Sequence, residues 1–249
     1  MKVLITGASS GMGKEFARYF DKLDYELVLV ARRTEKLLEL QKELKKATVI
    51  TMDLSKEENI YQLFNQVNDI DILINNAGFG LFGEFTSSSL ERELEMINTN
   101  IKAVHILTKL YLKEMEKNNK GYILNVASSA AFMPSGPLMS TYYASKGYVL
   151  KLTEAINTEL KIKKSDVYIG ALCPGPVNTE FNDVANVTFG VKALEADYVV
   201  RYTIKKMFKK KMVIVPGFSN KLTHIFRRFL PTKTLNKMVY KIQKKKEVK

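Results

Sequence analysis

Short runs of aliphatic and β-branched residues alternate with longer stretches of helical periodicity from residue 3 to residue 215, and few folds accept that order. Val3–Thr6, Tyr25–Ala31, Ala47–Met52, Asp71–Asn75, Tyr122–Ala127, Asp166–Cys173 and Met212–Val215 read as strands. Met12–Lys22, Glu35–Lys45, Glu58–Val67, about Asn98 to Glu116, and Tyr142–Lys161 read as helices. Phe16, Tyr19 and Phe20 share one face of the first helix, and the second carries Leu37, Leu38 and Leu40. Strands that are apolar throughout need cover on both faces, which a parallel sheet between two helix layers supplies. The expectation is an α/β protein with a doubly wound parallel sheet of about seven strands. The chain has 249 residues, 46% of them hydrophobic, and no linker or repeat interrupts it, so a single domain over residues 1–217 is expected. Residues 218–249 form a C-terminal extension rather than a domain of their own.

Charge separates the two parts. Residues 1–200 carry 23 Lys and Arg against 25 Asp and Glu, whereas residues 201–249 carry 16 against the single acid Glu247. An electrostatic partner is therefore sought at the C-terminal end. The one cysteine, Cys173, excludes an internal disulfide and suits a reducing compartment. Two histidines and one cysteine are too few for a structural zinc site, and no metal is expected. The opening Met1-Lys2-Val3-Leu4-Ile5-Thr6-Gly7 holds an apolar run of three residues, too short for a secretory signal. No run approaches the about 20 apolar residues of a membrane span. A cytoplasmic protein is expected, peripheral to a membrane at most.

The first strand runs into Thr6-Gly7-Ala8-Ser9-Ser10-Gly11-Met12-Gly13 and directly into a helix. Glycines there permit a tight turn and close approach of a pyrophosphate to the free N–H groups of the helix N-terminus. Gly7-Ala8-Ser9-Ser10-Gly11 also matches the G-x-S-x-G elbow of serine hydrolases. That chemistry needs a histidine, and only His105 and His224 exist. The apolar surroundings of His105 read as a packed helical histidine, His224 lies in the basic extension, and the hydrolase elbow normally follows several strands. The second strand ends at Ala31 and is followed by Arg32-Arg33, with no acid for a ribose 2′-hydroxyl. Two forked guanidiniums suit a phosphate, which favours NADP(H). Arg33 can equally be a solvated first-turn residue, so Arg32 is the one expected at the phosphate.

Tyr142 and Lys146 stand four apart on an expected helix, so both project from one face. A free phenol titrates near about 10, and a nearby ammonium would lower that value enough for acid/base work near neutrality. Tyr142 could then exchange a proton with a carbonyl or alcohol oxygen that the Ser128 hydroxyl also holds. Tyr143 beside Tyr142, Ser129 beside Ser128 and Asn98 near Asn100 remain competing choices.

Thr6-Gly7-x-x-x-Gly11-x-Gly13, Asp53-Leu54, Asn75-Asn76-Ala77-Gly78, Asn100, Ser128, Tyr142-x-x-x-Lys146 and Pro174-Gly175-x-x-x-Thr179 occur in that order. Together they resemble the short-chain dehydrogenase/reductase family, whose Rossmann-type fold, hydride-transfer activity and Ser/Tyr/Lys chemistry the resemblance implies. It also implies that Lys146 touches the nicotinamide ribose and that Asn100 joins a water-mediated proton relay. Gly7, Ser9, Ser10, Gly11, Met12 and Gly13 would hold the pyrophosphate, and Arg32 and Arg33 the phosphate end. Asp53 and Leu54 would hold the adenine, and Asn76, Ala77 and Gly78 the adenosine side. Pro174, Gly175, Val177 and Thr179 would complete the contacts, Thr179 at the nicotinamide amide. Asn75 and Asn76 can also be purely structural, tying turns together.

Candidate pocket walls are Phe79-Gly80-Leu81-Phe82, Phe132-Met133-Pro134 and the segment after Thr179 with Phe181 and Val184, which suits a small hydrophobic carbonyl or alcohol. The extension repeats apolar residues at helical spacing, first Leu222, Ile225, Phe226, Phe229 and Leu230, then Leu235, Met238, Val239 and Ile242. A basic amphipathic segment of this kind can pack on its own subunit, roof the pocket, build a homo-oligomer or meet an anionic membrane. Nucleic acid is disfavoured, because no stacking platform or reading motif is present. The catalytic set is complete, which separates an oxidoreductase from a non-catalytic nucleotide-sensing protein.

Overall fold

A computed structural model describes residues 1–181, 193–217, 220 and 229–245. Seven parallel strands form one sheet in the order β3-β2-β1-β4-β5-β6-β9. These are β1 (Lys2–Thr6), β2 (Glu26–Ala31), β3 (Ala47–Thr51), β4 (Ile72–Asn75), β5 (Tyr122–Val126), β6 (Tyr168–Leu172) and β9 (Val213–Ile214). Two further strands, β7 (Val177–Asn178) and β8 (Leu194–Glu195), pair only with each other. The doubly wound Rossmann-type sheet expected from the sequence is present.

The apolar strands are explained by burial on both sides. In β1 and β2, Val3, Ile5, Leu27 and Leu29 join one core with Phe16 and Phe20 of α1 (Gly11–Lys22) and Leu37 and Leu40 of α2 (Thr34–Lys42). Leu4, Val28 and Val30 point the other way, toward Ile60 and Leu63 of α3 (Glu57–Gln66) and Leu107 and Tyr111 of α5 (Val104–Lys117). Successive side chains of one strand thus enter opposite cores, leaving no polar face.

The sheet order reverses between β1 and β4, both of which leave from the same end of the sheet. A doubly wound sheet opens its ligand crevice at such a point. Asn76 ties the two strand ends together, its amide donating to the Thr6 carbonyl at 3.0 Å and the Gly7 carbonyl at 3.2 Å. Behind it, Asn75 donates to the Asn125 side chain at 2.9 Å, and Asn125 donates to Thr153 at 3.0 Å. That buried row fixes α6 (Ser140–Ile162) against the sheet beneath the crevice.

One helix departs from expectation. The stretch expected to begin near Asn98 begins at Leu90, as α4 (Leu90–Ile97), and passes through a π-helical segment, Asn98–Ala103, before α5. Leu90 and Leu94 are 63% and 50% exposed while Glu93 is 8% exposed, so the usual hydrophobic face is inverted and the periodicity misleads. His105, expected to be packed, is exposed and shares a 2.7 Å hydrogen bond with the Tyr148 hydroxyl.

In the extension, Leu222, Ile225 and Phe226 lie outside the described residues, as do Val184 and His224. Phe229 and Leu230 are exposed, and a helix spans Thr232–Lys244. It turns Leu235, Val239 and Gln243 inward, whereas Met238 and Ile242 face outward. Lys233, Lys237 and Lys241 lie on the side opposite the buried row. Among the described residues no helix is long and apolar enough to cross a membrane.

Candidate active site

Three groups converge at the end of β5. Ser128 leaves the strand and accepts the Ala130 N–H at 3.1 Å, which fixes its hydroxyl. That hydroxyl lies close enough to the Tyr142 phenol to ease its ionisation. Ser128 thus stands against Tyr142, while the neighbouring Ser129 spends its N–H on the Pro174 carbonyl. Lys146, one helical turn beyond Tyr142, is only 5% exposed and donates to the Val126 carbonyl at 2.9 Å. Its ammonium lies 6.0 Å from the centre of the Tyr142 ring.

The acid/base balance differs from the sequence-based expectation. Burial pushes the Tyr142 phenol up to about 12, against the lowering effect of Ser128. Burial also draws the Lys146 ammonium down to about 8. Desolvation outweighs the expected help from lysine, because the low-polarity surroundings penalise every charged form. Tyr142 is therefore a phenol holding its proton, and Lys146 is a cation near neutrality that loses its charge easily.

The π-helical segment turns Asn100 inward, where it is fully buried. Its Oδ1 accepts the Phe79 N–H at 3.1 Å, and its amide donates to the Phe79 carbonyl at 2.9 Å and to Ser145 at 3.1 Å. Ser145 in turn donates to the Tyr142 carbonyl at 2.7 Å. The Gly78–Phe79 segment is thereby locked to α6. A Cβ on Gly78 would lie 2.8 Å from Asn100 Oδ1 and 3.3 Å from Lys146 Nζ, so these groups close around one point. Among the described residues it is Asn100, and not the competing Asn98, that bonds to Phe79 and Ser145. Sequence reasoning missed Ser145, for a serine inside a helix carries no signal of its partner.

At the crevice, Gly7 has φ +66° and Gly11 φ +52°, so the turn needs both glycines. Gly13 is needed for space, since a Cβ there would sit 2.2 Å from the Gly7 carbonyl oxygen. Ser10, the N-cap of α1, makes no side-chain cap, and the first turn holds no acid. An uncapped helix start of this kind receives anions. Arg33, rather than Arg32, lies over it: its guanidinium donates to Ser9 Oγ at 3.1 Å and Ser10 Oγ at 2.8 Å. Arg32 is turned to Glu95, at 2.5 Å.

The remaining positions are distributed around the same crevice. Asp53 accepts the Ser55 N–H at 3.0 Å, and Leu54 is part of the core. The Ala77 N–H donates to Thr6 Oγ1 at 3.0 Å. Thr179 stands against the glycine turn, 3.0 Å from where a Gly11 Cβ would be. Pro174 and Val177 are buried, and a Cβ on Gly175 would strike the Asn220 side chain. Met12, in the first turn of α1, packs on the core. Among the candidate walls, Phe79 and Phe132 are core residues. The Phe181 ring centre is 5.5 Å from that of Tyr142, and a Cβ on Gly80 would touch Phe181, Met139 and Tyr142. The competing Tyr143 packs at 6.2 Å from Tyr142 and accepts a 2.6 Å hydrogen bond from Gln243. The terminal helix is thus fastened to the residue beside Tyr142, a link no sequence pattern announced.

The residues fit a dinucleotide on the protein's own showing. Lys146 carries three N–H donors in a buried place and, among the described residues, gives one to protein, which leaves two for ligand hydroxyls. The uncapped helix start, with Arg33 above it, offers the matching anion site. Among the described residues no group of three His, Cys, Asp or Glu could hold a metal ion.

Comparison with known proteins agrees. A sequence model of the short chain dehydrogenase family matches residues 1–188. The 17-beta-hydroxysteroid dehydrogenases type 3 of Rattus norvegicus and Homo sapiens are 32% and 33% identical, over 81% and 77% of this chain. The matches cover 67% and 64% of those enzymes, so the chain spans about two thirds of their length. A short-chain dehydrogenase from Sphingobium yanoikuyae in complex with NADPH superposes with a TM-score of 0.82 at 28% identity, covering 92% of this chain and 93% of that one. The bulky-bulky ketone specific alcohol dehydrogenase of Comamonas testosteroni gives 0.78 at 26% identity, covering 92% of each chain.

Proposed function

The chain belongs to the short chain dehydrogenase family, and on that footing we propose that it is an NADP(H)-dependent oxidoreductase interconverting a small hydrophobic carbonyl and its alcohol. The observation that carries the proposal is the meeting of Ser128, Tyr142 and a buried Lys146 with two unspent donors at one strand end. NADPH, when bound, supplies hydride to the carbonyl carbon. Ser128 holds the carbonyl oxygen, and Tyr142 gives it a proton as charge develops. Lys146 holds the ribose and stabilises the resulting phenolate, while Asn100 keeps one lone pair of Oδ1 to accept from a water of the proton relay. Phosphate recognition falls to Arg33, above Ser9 and Ser10, and to Arg32 once it leaves Glu95, with Asp53 and Leu54 at the adenine and Ala77, Gly78, Val177 and Thr179 along the cofactor.

The apolar surroundings of Tyr142, with Phe181 and Met139 beside Gly80, support a hydrophobic ketone. The steroid and bulky-ketone specificities named for the relatives point the same way. The outer face of the terminal helix, Lys233, Lys237 and Lys241 with exposed Met238 and Ile242, supports contact with an anionic membrane or a second copy.

NADPH consumption over aldehydes, ketones and β-ketoacyl thioesters tests the reading. Turnover is expected with ketones. No turnover on any of them, with NADPH binding intact, marks a nucleotide-sensing protein instead. The two perturbed groups also set a pH profile. Tyr142 stays protonated throughout the working range, whereas Lys146 loses its charge as pH rises through about 8. Reduction, read as kcat/KM, should be level below that value and fall by up to about tenfold per pH unit above it. A profile that instead rises with pH contradicts the roles given to both groups.

A further inference from the structure

Glu180 follows Thr179, and its carboxylate is held by two cations. Oε2 accepts from Arg33 Nη1 at 2.7 Å and Oε1 from Lys36 Nζ at 2.6 Å. Both partners hold the carboxyl below its usual range. The same Arg33 reaches Ser9 and Ser10 with its other nitrogens, so Glu180 stands at the edge of the anion-receptive turn. Its side chain is 42% exposed and open to displacement from solvent.

The neighbouring residue faces the chemistry. The Phe181 ring lies 5.5 Å from Tyr142 and reaches the Gly80 backbone. Thr179 holds the segment from behind, its Oγ1 accepting the Phe181 N–H at 3.3 Å, and its side chain rests on Gly11. Three consecutive residues therefore span the crevice, from the glycine turn through Arg33 and Lys36 to the catalytic tyrosine. One backbone link separates the ion pair from the ring contact.

Two cations sharing one carboxylate keep a surplus positive charge, and a phosphate with about −1.5 to −2 charges satisfies them better. Carboxylate and phosphate repel each other, so one displaces the other. We propose that Glu180 fills, as a built-in anion, the site that takes the 2′-phosphate of NADP(H), and that its displacement frees Phe181 from Tyr142 to admit substrate. Glu180 is then a specificity-determining residue: NAD(H), lacking the phosphate, leaves the pair and the ring in place. The proposal rests on the NADP(H) reading above.

Titration calorimetry of the full chain with 2′,5′-ADP and with 5′-AMP separates the two ideas. Wild type should prefer 2′,5′-ADP, and equal affinities would remove the NADP(H) reading itself. In Glu180→Gln, which keeps size and is partly exposed, 2′,5′-ADP should bind about fivefold to tenfold more tightly, with 5′-AMP unchanged within about twofold. Unchanged affinity for 2′,5′-ADP, or equal weakening of both ligands, overturns the proposal while leaving the cofactor reading standing.

The ring movement has its own reporter, because the chain has no tryptophan. In Phe181→Trp the single indole should change emission on adding 2′,5′-ADP but not 5′-AMP. Adding Glu180→Gln should produce the changed emission without nucleotide. Emission indifferent to both ligands and to Glu180→Gln contradicts the coupling.

Discussion

Tyr142→Phe should lower kcat for carbonyl reduction by about a thousandfold and leave NADPH affinity within about twofold, by stopped-flow turnover and calorimetric binding. The phenol is the group placed to deliver the proton, beside Ser128 and kept protonated by burial. Phenylalanine keeps the ring packing against Tyr143 and Phe181 and removes only the oxygen. Tyr143→Phe is the matched control. It loses the Gln243 hydrogen bond at the far side of the ring pair and should keep most of the turnover. If the two variants lose activity equally, Tyr142 has no special part in proton transfer.

The second large effect belongs to the glycine turn. Gly13→Ala places a methyl 2.2 Å from the Gly7 carbonyl oxygen and 2.7 Å from the Asn76 amide. The obstruction is backbone, so the turn itself must open. Overpacking of this kind costs about 1–3 kcal/mol, which for a chain of this size lowers Tm by about 3–10 °C. NADPH affinity should fall more than about tenfold, because the helix start no longer faces the pyrophosphate. Gly147→Ala is the contrast, since nothing lies within 4 Å of its added Cβ in the middle of α6. Removing a glycine from a helix interior should raise stability by about 0.5–1 kcal/mol. Equal destabilisation by both substitutions would show that the turn is not the constrained element.

The strands β1, β2, β4, β5 and β6 were legible because both of their faces are buried, which leaves a mostly apolar run, whereas the half-exposed edge strand β3 mixes Thr with Ala, Val and Ile. The Tyr142–Lys146 spacing was legible because helical geometry alone puts them on one side. Three features were hidden for physical reasons. In α4 the inward side carries Glu93, bonded to Ser88, and Met96, so Leu90 and Leu94 advertise the wrong face. Of Arg32 and Arg33, one residue of register at the end of β2 decides which guanidinium turns toward the crevice, and both read alike. Glu180 and Gln243 act through partners 147 and 100 residues away, contacts that no local pattern encodes.

The extension shows the same limit. Its spacing identified a helix, but Leu235 and Val239 were not distinguishable in sequence from Met238 and Ile242. The buried row continues through Gln243, 2% exposed, whose amide reaches Tyr143 while its Oε1 has no partner among the described residues. A polar residue at the end of an apolar row was the only trace of that link. The electrostatics were misjudged too. Proximity of an ammonium was expected to lower the phenol, whereas the shared burial of Tyr142 and Lys146 works against both charges.

Isotope transfer tests the central claim most directly. The protein is incubated with NADPH carrying deuterium at the transferring position and with a bulky hydrophobic ketone, and the alcohol is examined by mass spectrometry. One deuterium on the carbinol carbon, with the labelled alcohol formed about a thousandfold more slowly by Tyr142→Phe under the same conditions, is the predicted result. Tightly bound NADPH that transfers no deuterium to any ketone or aldehyde would contradict the account.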